Sequence, residues 1–253
     1  MKVSIITPAY NCAAFLEKCI LSVKDQRCPD IEHIIVNDGS TDGTEEIIQR
    51  YEGSYGMKHF FQKNQGIACA MNKGFEAATG DVFAWLDADN FYRAGIVDEA
   101  VKALEENPDI DIVYGNIDFV DTSGKKTGAH KPPSDISFKK ALVRTTGAIP
   151  LQPAVFFKRG VYRKTAGFDT RYRVAGDYDF WLQALKTGPK LLYLDTTFGS
   201  YTLVESGASQ SWKGVMNGFR EVYTVAERYH QPLYGKMMLT AKYAKGFLGK
   251  FVK

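Results

Sequence analysis

Apolar positions in the first hundred residues follow two alternating kinds of spacing. Short runs rich in β-branched residues predict strands, and stretches with apolar residues three or four positions apart predict helices. The predicted strands are 3–6, 31–36, 59–61 and 82–86, and the predicted helices are 13–23, 42–51, 67–78 and 96–104. Because strands and helices follow each other in turn, the pattern favours an α/β fold, with helices on both faces of a mostly parallel sheet.

The second half of the chain is less regular. Residues 122–133 are rich in Gly, Lys, Ser and Pro, which predicts an exposed loop. Helices are predicted at 138–143 and 178–185, and a strand at 154–157. Since no composition break suggests a linker, we expect one domain over residues 1–210 and a helical C-terminal extension over 211–253.

Composition narrows the class of protein. The chain has 253 residues, of which 45% are hydrophobic and 24% charged, so it is not a disordered or low-complexity protein. Its formal charge of +3 does not indicate a nucleic-acid partner. The apolar run at the N-terminus stops at Pro8, and the four cysteines form no C-x-x-C pair. We therefore expect neither a signal peptide nor a zinc site, and we expect a cytoplasmic protein with reduced thiols.

Polar side chains follow three of the predicted strands. They lie in residues 7–11, 37–40 and 87–90, and they include Asp38, Asp87 and Asp89. Ligands of parallel α/β sheets bind beyond the carboxyl ends of the strands. We therefore expect these three segments to meet at one edge of the sheet.

Asp87 and Asp89 are two residues apart in an extended segment, so both carboxylates point to the same side. Like charges held this close repel each other unless a cation lies beside them. Carboxylate oxygens suit Mg²⁺ and Mn²⁺, which often bind one or two carboxylates together with substrate phosphates. The pair therefore predicts a divalent cation bound to a diphosphate, and the alternative is a solvated turn after a strand.

A further acid lies in the second half of the chain. Asp177 precedes an apolar helix that contains Phe180 and Trp181, whose spacing favours a place in the core. The carboxylate of Asp177 either caps this helix or acts as a general base in a cleft. Spacing does not separate the two interpretations, and one residue can do both.

Four motifs occur in order along the chain: VSIITPAYN, HIIVNDGSTDGT, NQGIACAMNKGFEAATGDVFAWLDADN and GFDTRYRVAGDYDFWL. Taken together, they resemble family 2 glycosyltransferases, which are inverting enzymes with the nucleotide-sugar-binding, Rossmann-like GT-A fold. The resemblance covers residues 3–209, and the third motif is most similar to members acting in bacterial surface-polysaccharide assembly.

The resemblance implies a role for each matching residue. Asp177 is implied as the catalytic base, Asp89 as a ligand of Mn²⁺ or Mg²⁺, and Asp87 as a second ligand near the ribose and sugar. The substrate-binding residues implied are Thr7, Pro8, Ala9, Tyr10 and Asp38 for the base and ribose, Gln152 for the acceptor, and Asp179 as a supporting neighbour. For Gln152, a structural turn is the open alternative.

The resemblance also implies substrates. The donor is a nucleotide-diphosphate sugar, with UDP as the default nucleotide and GDP or dTDP as alternatives, and the acceptor is a glycan or a lipid-linked glycan.

Two other functions are weighed against a transferase. A sugar-phosphate nucleotidyltransferase needs a basic Gly-rich loop, whereas Pro8–Cys12 contains no basic residue. A non-catalytic nucleotide-sugar-binding module does not need the acids at 87, 89 and 177, so their presence argues against this function.

The chain departs from the family pattern at several positions. Met71 and Gln183 stand where relatives often have Arg, and Asn90 stands where a further acid is common. Residues 201–209 lack the His that relatives often place near the metal. The third protein ligand of the metal is therefore left open between water, Glu205 and none.

The C-terminal residues 236–253 have an apolar face and a lysine-rich remainder. A basic amphipathic helix suits the surface of an anionic membrane. It can equally pack on the core of the enzyme with its lysines in solvent. Peripheral contact with the inner face of the cell membrane is thus one of two expectations for this segment.

Overall fold

A computed structural model describes residues 1–144, 148–204 and 212–229 of the chain. The strands in these ranges are β1 (Val3–Ala9), β2 (Ile31–Asn37), β3 (Met57–Phe61), β4 (Val82–Trp85), β5 (Phe91–Tyr92), β6 (Ile112–Val120), β7 (Lys126–His130), β8 (Val155–Lys158) and β9 (Leu191–Thr202). The helices are α1 (Ala13–Lys24), α2 (Thr44–Tyr51), α3 (Ile67–Ala77), α4 (Ile96–Glu106), α5 (Phe138–Arg144), α6 (Arg159–Arg163), α7 (Gly176–Lys186) and α8 (Trp212–Arg228).

All of these strands belong to one mixed sheet. Its order is β3-β2-β1-β4-β8-β6-β9-β5, and β7 pairs with β6 beside this path. The pairs β3–β2, β2–β1, β1–β4 and β6–β9 are parallel, whereas β5, β7 and β8 run antiparallel to their neighbours. The predicted α/β fold is confirmed. Of the antiparallel strands, β5 lies in the first half of the chain, and β7 and β8 follow it where the sequence pattern is less regular.

The prediction of a loop over 122–133 is wrong for the middle of this segment, because Lys126–His130 forms β7. This strand pairs with β6 and has no fully buried side chain. A strand at the edge of a sheet is often polar, so apolar alternation does not reveal it. Helix α2 begins at Thr44, two residues later than predicted. The Asp42 carboxylate just before it accepts the Thr44 N–H at 3.0 Å, and Glu45 accepts a hydrogen bond from the Asn37 amide at 2.6 Å.

Alternation along β4 divides the core into two layers. Val82 and Ala84 pack on the face covered by α4, whereas Phe83 and Trp85 pack on the face covered by α3 and α7. Successive side chains of a strand point to opposite faces. Asp87 continues the alternation of Phe83 and Trp85, which directs its carboxylate to the α7 side of the sheet.

Helix α8 packs into the same layer of the core. Val222, Val225 and Ala226 are buried in the cluster that contains Trp181 of α7. The first part of the predicted extension thus shares the core of the preceding residues, and the boundary at 210 stays a prediction. The basic helix predicted at 236–253 lies outside the described residues. No described helix is both long enough and apolar enough to cross a bilayer.

Glu32 joins the parallel strands near their amino ends. Its carboxylate accepts hydrogen bonds from Ser4 of β1 at 2.6 Å, from Lys58 of β3 at 2.5 Å and from the Thr79 N–H at 2.8 Å. Burial alone raises the pKa of this carboxyl, but the hydrogen bonds outweigh burial and lower the pKa to about 2. One charged group therefore ties β1, β2, β3 and the turn before β4 together.

We predict that Glu32→Ala lowers the free energy of unfolding by about 2 to 4 kcal/mol at pH 7, because its partners lose a buried acceptor. Since folding lowers the pKa of Glu32 from 4.5 to about 2, this stabilisation is complete above pH 4.5 and disappears as the pH falls toward 2. Urea unfolding at pH 7 and pH 3 measures the difference. Glu106→Ala, at an exposed position of α4, is the control, and an equal cost of both substitutions would contradict the prediction.

Candidate active site

A cavity of about 500 Å³ lies at the carboxyl ends of the parallel strands. β1 is parallel to β2 and to β4, with Ala9 opposite Asn37 and Ile6 opposite Trp85. The segments that follow these three strands therefore meet at one edge of the sheet, as the sequence predicts.

Four of the predicted site residues line this cavity. They are Asp87, Asp89, Gln152 and Asp177. Most other lining residues are apolar or aromatic, and they come from α3, β4, β6, β9 and the segments before β8 and α7: Ile67, Ala68, Met71, Trp85, Ile117, Phe119, Leu151, Phe168, Tyr172, Arg173, Val174, Gly176, Tyr201 and Leu203. The acids from the two halves of the chain thus share one apolar-walled site.

Hydrogen bonds to β9 hold the loop that carries the acid pair. The Asn90 N–H donates to the Asp87 carbonyl at 2.9 Å, and the Thr202 N–H donates to Asn90 Oδ1 at 2.9 Å. The Thr202 hydroxyl donates to the Asp89 carbonyl. Asn90, where relatives often carry an acid, is buried and links the loop to β9.

Burial raises the pKa of all three acids of the cavity. Burial, followed by the negative charges of Asp89 and Asp177, raises the pKa of Asp87 to about 7. Burial raises the pKa of Asp177 to about 6 and also raises the pKa of Asp89. Raised carboxyl pKa values in a cleft are typical of functional sites, because such groups exchange protons near neutral pH or bind a cation.

Asp177 is the second residue of α7, and the core fixes the position of this helix. Phe180 and Trp181 are fully buried, which confirms that they are core residues. The Trp181 ring stacks on Trp85 of β4 with centroids 5.5 Å apart. The carboxylate of Asp177 accepts the Tyr178 N–H at 2.7 Å and borders the cavity.

Thr7, Pro8 and Ala9 lie within β1 and are buried, so they do not line the cavity. The Thr7 hydroxyl lies 2.9 Å from Nε2 of His33, inside the core. Tyr10, by contrast, is 52% exposed just beyond the strand. Of the five residues implied for the base and ribose, Tyr10 is the one whose side chain is open to solvent.

Asp38 supports the loop that leads into α3. Its Oδ1 accepts the Gln65 N–H at 2.9 Å and the Gln62 side-chain amide at 2.7 Å, and its Oδ2 accepts the Gly66 N–H at 2.8 Å. Asp38 is buried and does not line the cavity. An ionised carboxylate has about four acceptor positions, so one remains for a further donor.

Asp179 also lies away from the cavity. Two residues correspond to roughly 200° around a helix, so Asp177 and Asp179 occupy opposite faces of α7. Asp179 accepts hydrogen bonds from Arg228 of α8 at 3.0 Å and from the Gln183 amide at 2.8 Å. Asp179 therefore joins α7 to α8 outside the cavity, and its role as a supporting neighbour of the site stays a prediction.

Gln152 is the lining residue whose polar atoms have no partner. Its side chain is 9% exposed, and neither amide atom forms a hydrogen bond with the described residues. Buried amides are normally paired, so these atoms are available to a ligand with both a donor and an acceptor.

Two residues line the cavity without having been predicted as site residues. In the described ranges, Arg173 is the basic residue that borders the cavity, four positions before Asp177 in the last motif. Met71 also lines the cavity, at the position where relatives often have Arg. The positive charge of Arg173, close to the acids of the last motif, is the sequence signal that could have indicated a place for this residue in the site.

The carboxylate oxygens of the cavity suit a metal ion that also binds substrate. Among the described residues, no group of three His, Cys, Asp or Glu side chains is arranged to hold a metal ion. The acid pair at 87 and 89 offers carboxylate oxygens whose repulsion a cation would relieve. Mg²⁺ commonly binds one or two carboxylates and completes its shell with phosphates and water. Glu205, the other ligand considered, lies outside the described residues.

Sequence comparison finds relatives over most of the chain. The model of the family described as Glycosyl transferase family 2 matches residues 4–165. A PGL/p-HBAD biosynthesis glycosyltransferase of Mycobacterium bovis is 30% identical over 203 residues, which are 78% of this chain and 75% of the relative. An uncharacterised glycosyltransferase of Rickettsia typhi is 32% identical over 196 residues, covering 73% of this chain and 58% of the relative.

Solved structures share the fold at lower identity. S. aureus TarS 1-349 in complex with UDP-GlcNAc has a TM-score of 0.73 and 19% identity, over 89% of this chain and 66% of that one. The mannosyltransferase PcManGT from Pyrobaculum calidifontis, in complex with GDP-Man and Mn²⁺, has a TM-score of 0.67 and 21% identity, over 96% of this chain and 69% of that one. The family match, the relatives and the shared fold agree: the chain belongs to glycosyl transferase family 2 and is a glycosyltransferase.

Proposed function

We propose that the protein transfers a sugar from a nucleotide-diphosphate sugar to an acceptor hydroxyl, with inversion at the anomeric carbon. The observation that carries the proposal is the cavity shared by Asp87, Asp89 and Asp177. Two of these acids follow a parallel strand, and the third begins a helix from the other half of the chain. This arrangement supports a donor bound by the pair and an acceptor facing the third acid.

Asp177 acts as the general base. Burial raises its pKa to about 6, so it is largely ionised at neutral pH and still basic enough to accept a proton. As the acceptor oxygen bonds to the anomeric carbon, its proton passes to the Asp177 carboxylate. The bond between the anomeric carbon and the phosphate oxygen breaks, and the nucleoside diphosphate leaves from the opposite face.

Asp89 and Asp87 would hold Mn²⁺ or Mg²⁺. A divalent cation bound there supplies charge neutralisation for the leaving diphosphate. Burial and then the charges of Asp89 and Asp177 raise the pKa of Asp87, which supports this role because a bound cation offsets both the burial of the charge and the repulsion. Arg173 borders the same cavity and adds a positive charge for phosphate oxygens.

The donor is a UDP-sugar in this proposal. TarS binds UDP-GlcNAc and PcManGT binds GDP-Man, which supports a nucleotide sugar without identifying its base. The exposed ring of Tyr10, at the end of β1, is available to stack on a base. Asp38 has an acceptor position left for an N–H of that base.

The sugar acceptor in this proposal is a glycan or a lipid-linked glycan of the cell envelope. The unpaired amide of Gln152 suits a sugar hydroxyl, which both donates and accepts hydrogen bonds. The mycobacterial relative is named for PGL/p-HBAD biosynthesis, which supports an envelope glycoconjugate. A cytoplasmic enzyme that contacts the inner face of the membrane through residues 236–253 would meet such an acceptor.

Asp177→Asn is expected to lower the rate of sugar transfer by about 100- to 10,000-fold, because the amide cannot accept the proton. Donor screening with UDP-glucose, UDP-GlcNAc and GDP-mannose, read out as nucleotide release, measures the rate. UDP affinity is expected to stay unchanged. Asp109→Asn, at an exposed position of the chain, should behave as wild type. Wild-type turnover by Asp177→Asn would exclude Asp177 as the base.

The pH dependence of kcat provides a second test. The base must be ionised, so kcat should rise with pH, tenfold per unit below the pKa, and level off above pH 6, where Asp177 has lost its proton. Measurements at saturating Mn²⁺ from pH 5 to 8 define this limb. A rate that is independent of pH in this range would contradict the assignment.

Asp89→Asn is expected to abolish the dependence of nucleotide binding on Mn²⁺. In the wild type, UDP at about 100 times its Kd with Mn²⁺ should stabilise the fold by about 2.7 kcal/mol, which raises Tm by about 5 to 10 °C. The variant should show the smaller shift that the wild type shows with UDP and EDTA. Equal shifts of the wild type with Mn²⁺ and with EDTA would reject a metal site.

A further inference from the structure

Helix α7, which carries Asp177, begins without a side-chain cap from its N-cap residue, because Ala175 occupies that position. Within the first turn, the Asp177 carboxylate accepts one amide, the Tyr178 N–H, at 2.7 Å. The first amides of a helix have no intrahelical acceptor, so they need a partner from elsewhere. Here the partner for the amides just before the helix comes from α8.

Glu221 of α8 accepts hydrogen bonds from three consecutive backbone amides. The Val174 N–H binds Oε2 at 2.7 Å and the Ala175 N–H binds the same oxygen at 2.9 Å. The Arg173 N–H lies 3.1 Å from both carboxylate oxygens. A negative charge is stabilised at a helix N-terminus by the partial positive charge there. One side chain therefore fixes the backbone immediately before Asp177.

Arg228 fixes the same segment from a second point on α8. It lies seven residues after Glu221, which places both side chains on one face of the helix, about two turns apart. Its guanidinium donates to Asp179 at 3.0 Å, to Asp169 at 2.9 Å and to the Tyr172 hydroxyl at 2.8 Å. Residues 169–179 are therefore bound to α8 on both sides of Asp177.

The core holds α8 rigidly between these two contacts. Val222, Val225 and Ala226 are buried in the cluster shared with Trp181 of α7. Buried apolar contacts of this kind prevent one helix from sliding over another without a loss of packing. α8 therefore gives Glu221 and Arg228 a fixed base from which to hold the segment.

We propose that Glu221 is a positioning residue for sugar transfer, which holds residues 173–175 so that Asp177 faces the acid pair across the cavity. This inference rests on the proposed function, in which Asp177 is the base. Helix α8 lies beyond residues 4–165, the range matched by the family model, so the match does not supply it. A displacement of about 1 Å at a reacting group can lower a rate by about 100-fold, which is why the contact matters.

The test is Glu221→Gln, which keeps the size of the side chain and removes its charge and one acceptor. We expect kcat for nucleotide release to fall by about 10- to 100-fold, while the Kd for UDP with Mn²⁺ stays within about twofold. The donor is whichever of UDP-glucose, UDP-GlcNAc and GDP-mannose the wild type uses fastest. Amide hydrogen exchange is expected to become faster at 173–178 and to stay unchanged in β2. Glu106→Gln, on the exposed end of α4, is the matched control.

Arg228→Lys is a second variant, for which we also expect a lower kcat and an unchanged Kd for UDP. A lysine keeps the charge but cannot direct hydrogen bonds to three partners at once in the way a guanidinium does. Arg220→Lys, an exposed position of the same helix, is its control. Both control variants should keep the wild-type rate.

The outcomes separate this inference from the proposed function. Wild-type kcat for Glu221→Gln, together with loss of activity in Asp177→Asn, would overturn the positioning role and leave the proposed function intact. Faster exchange throughout the sheet with a lower Tm would indicate general destabilisation, and it would also overturn the positioning role. Full activity of Asp177→Asn would instead reject the proposed function itself.

Discussion

The site depends on keeping three carboxylates together in one partly buried cavity, although like charges repel. Burial, followed by the charges of Asp89 and Asp177, raises the pKa of Asp87, and burial raises the pKa of Asp177. A flexible scaffold would let the acids separate into solvent, so the surrounding structure has to be rigid. The stacked rings of Trp85 and Trp181 and the hydrogen bonds of Thr202 provide that rigidity on two sides of the cavity.

The two ends of the parallel strands have different functions. Near the amino ends, Glu32 satisfies donors from several strands at once, and this contributes stability. At the carboxyl ends, the cavity contains three carboxylates and the Gln152 amide, whose two polar atoms have no partner among the described residues. An unpaired buried amide is costly unless a ligand pairs with it. Stability and chemistry are thus separated along the strand direction, as is general for parallel α/β sheets.

The second half of the chain completes the site in a way that local pattern does not predict. β6 and β9 supply one wall of the cavity, and Glu221 of α8 binds the backbone amides of residues 173–175, just before Asp177. The family match ends before α7 and α8, although Asp177 lies on one and Glu221 on the other. The residues that shape the cavity therefore extend beyond the range matched by the family model.

Local pattern predicted four strands and four helices of the first half, the positions of the acids at 87, 89 and 177, and the family, because periodicity and motifs are local properties. It did not predict β5, β6, β7 or β9, and the polar residues of β7, for example, pair with β6 only once the sheet is assembled. Packing of the elements, which no local pattern encodes, brings Asp179 to Arg228, Asp38 to the loop before α3, and Glu221 to the residues before α7. These contacts join residues far apart in the chain, so only the packing of the elements brings the partners within hydrogen-bonding distance.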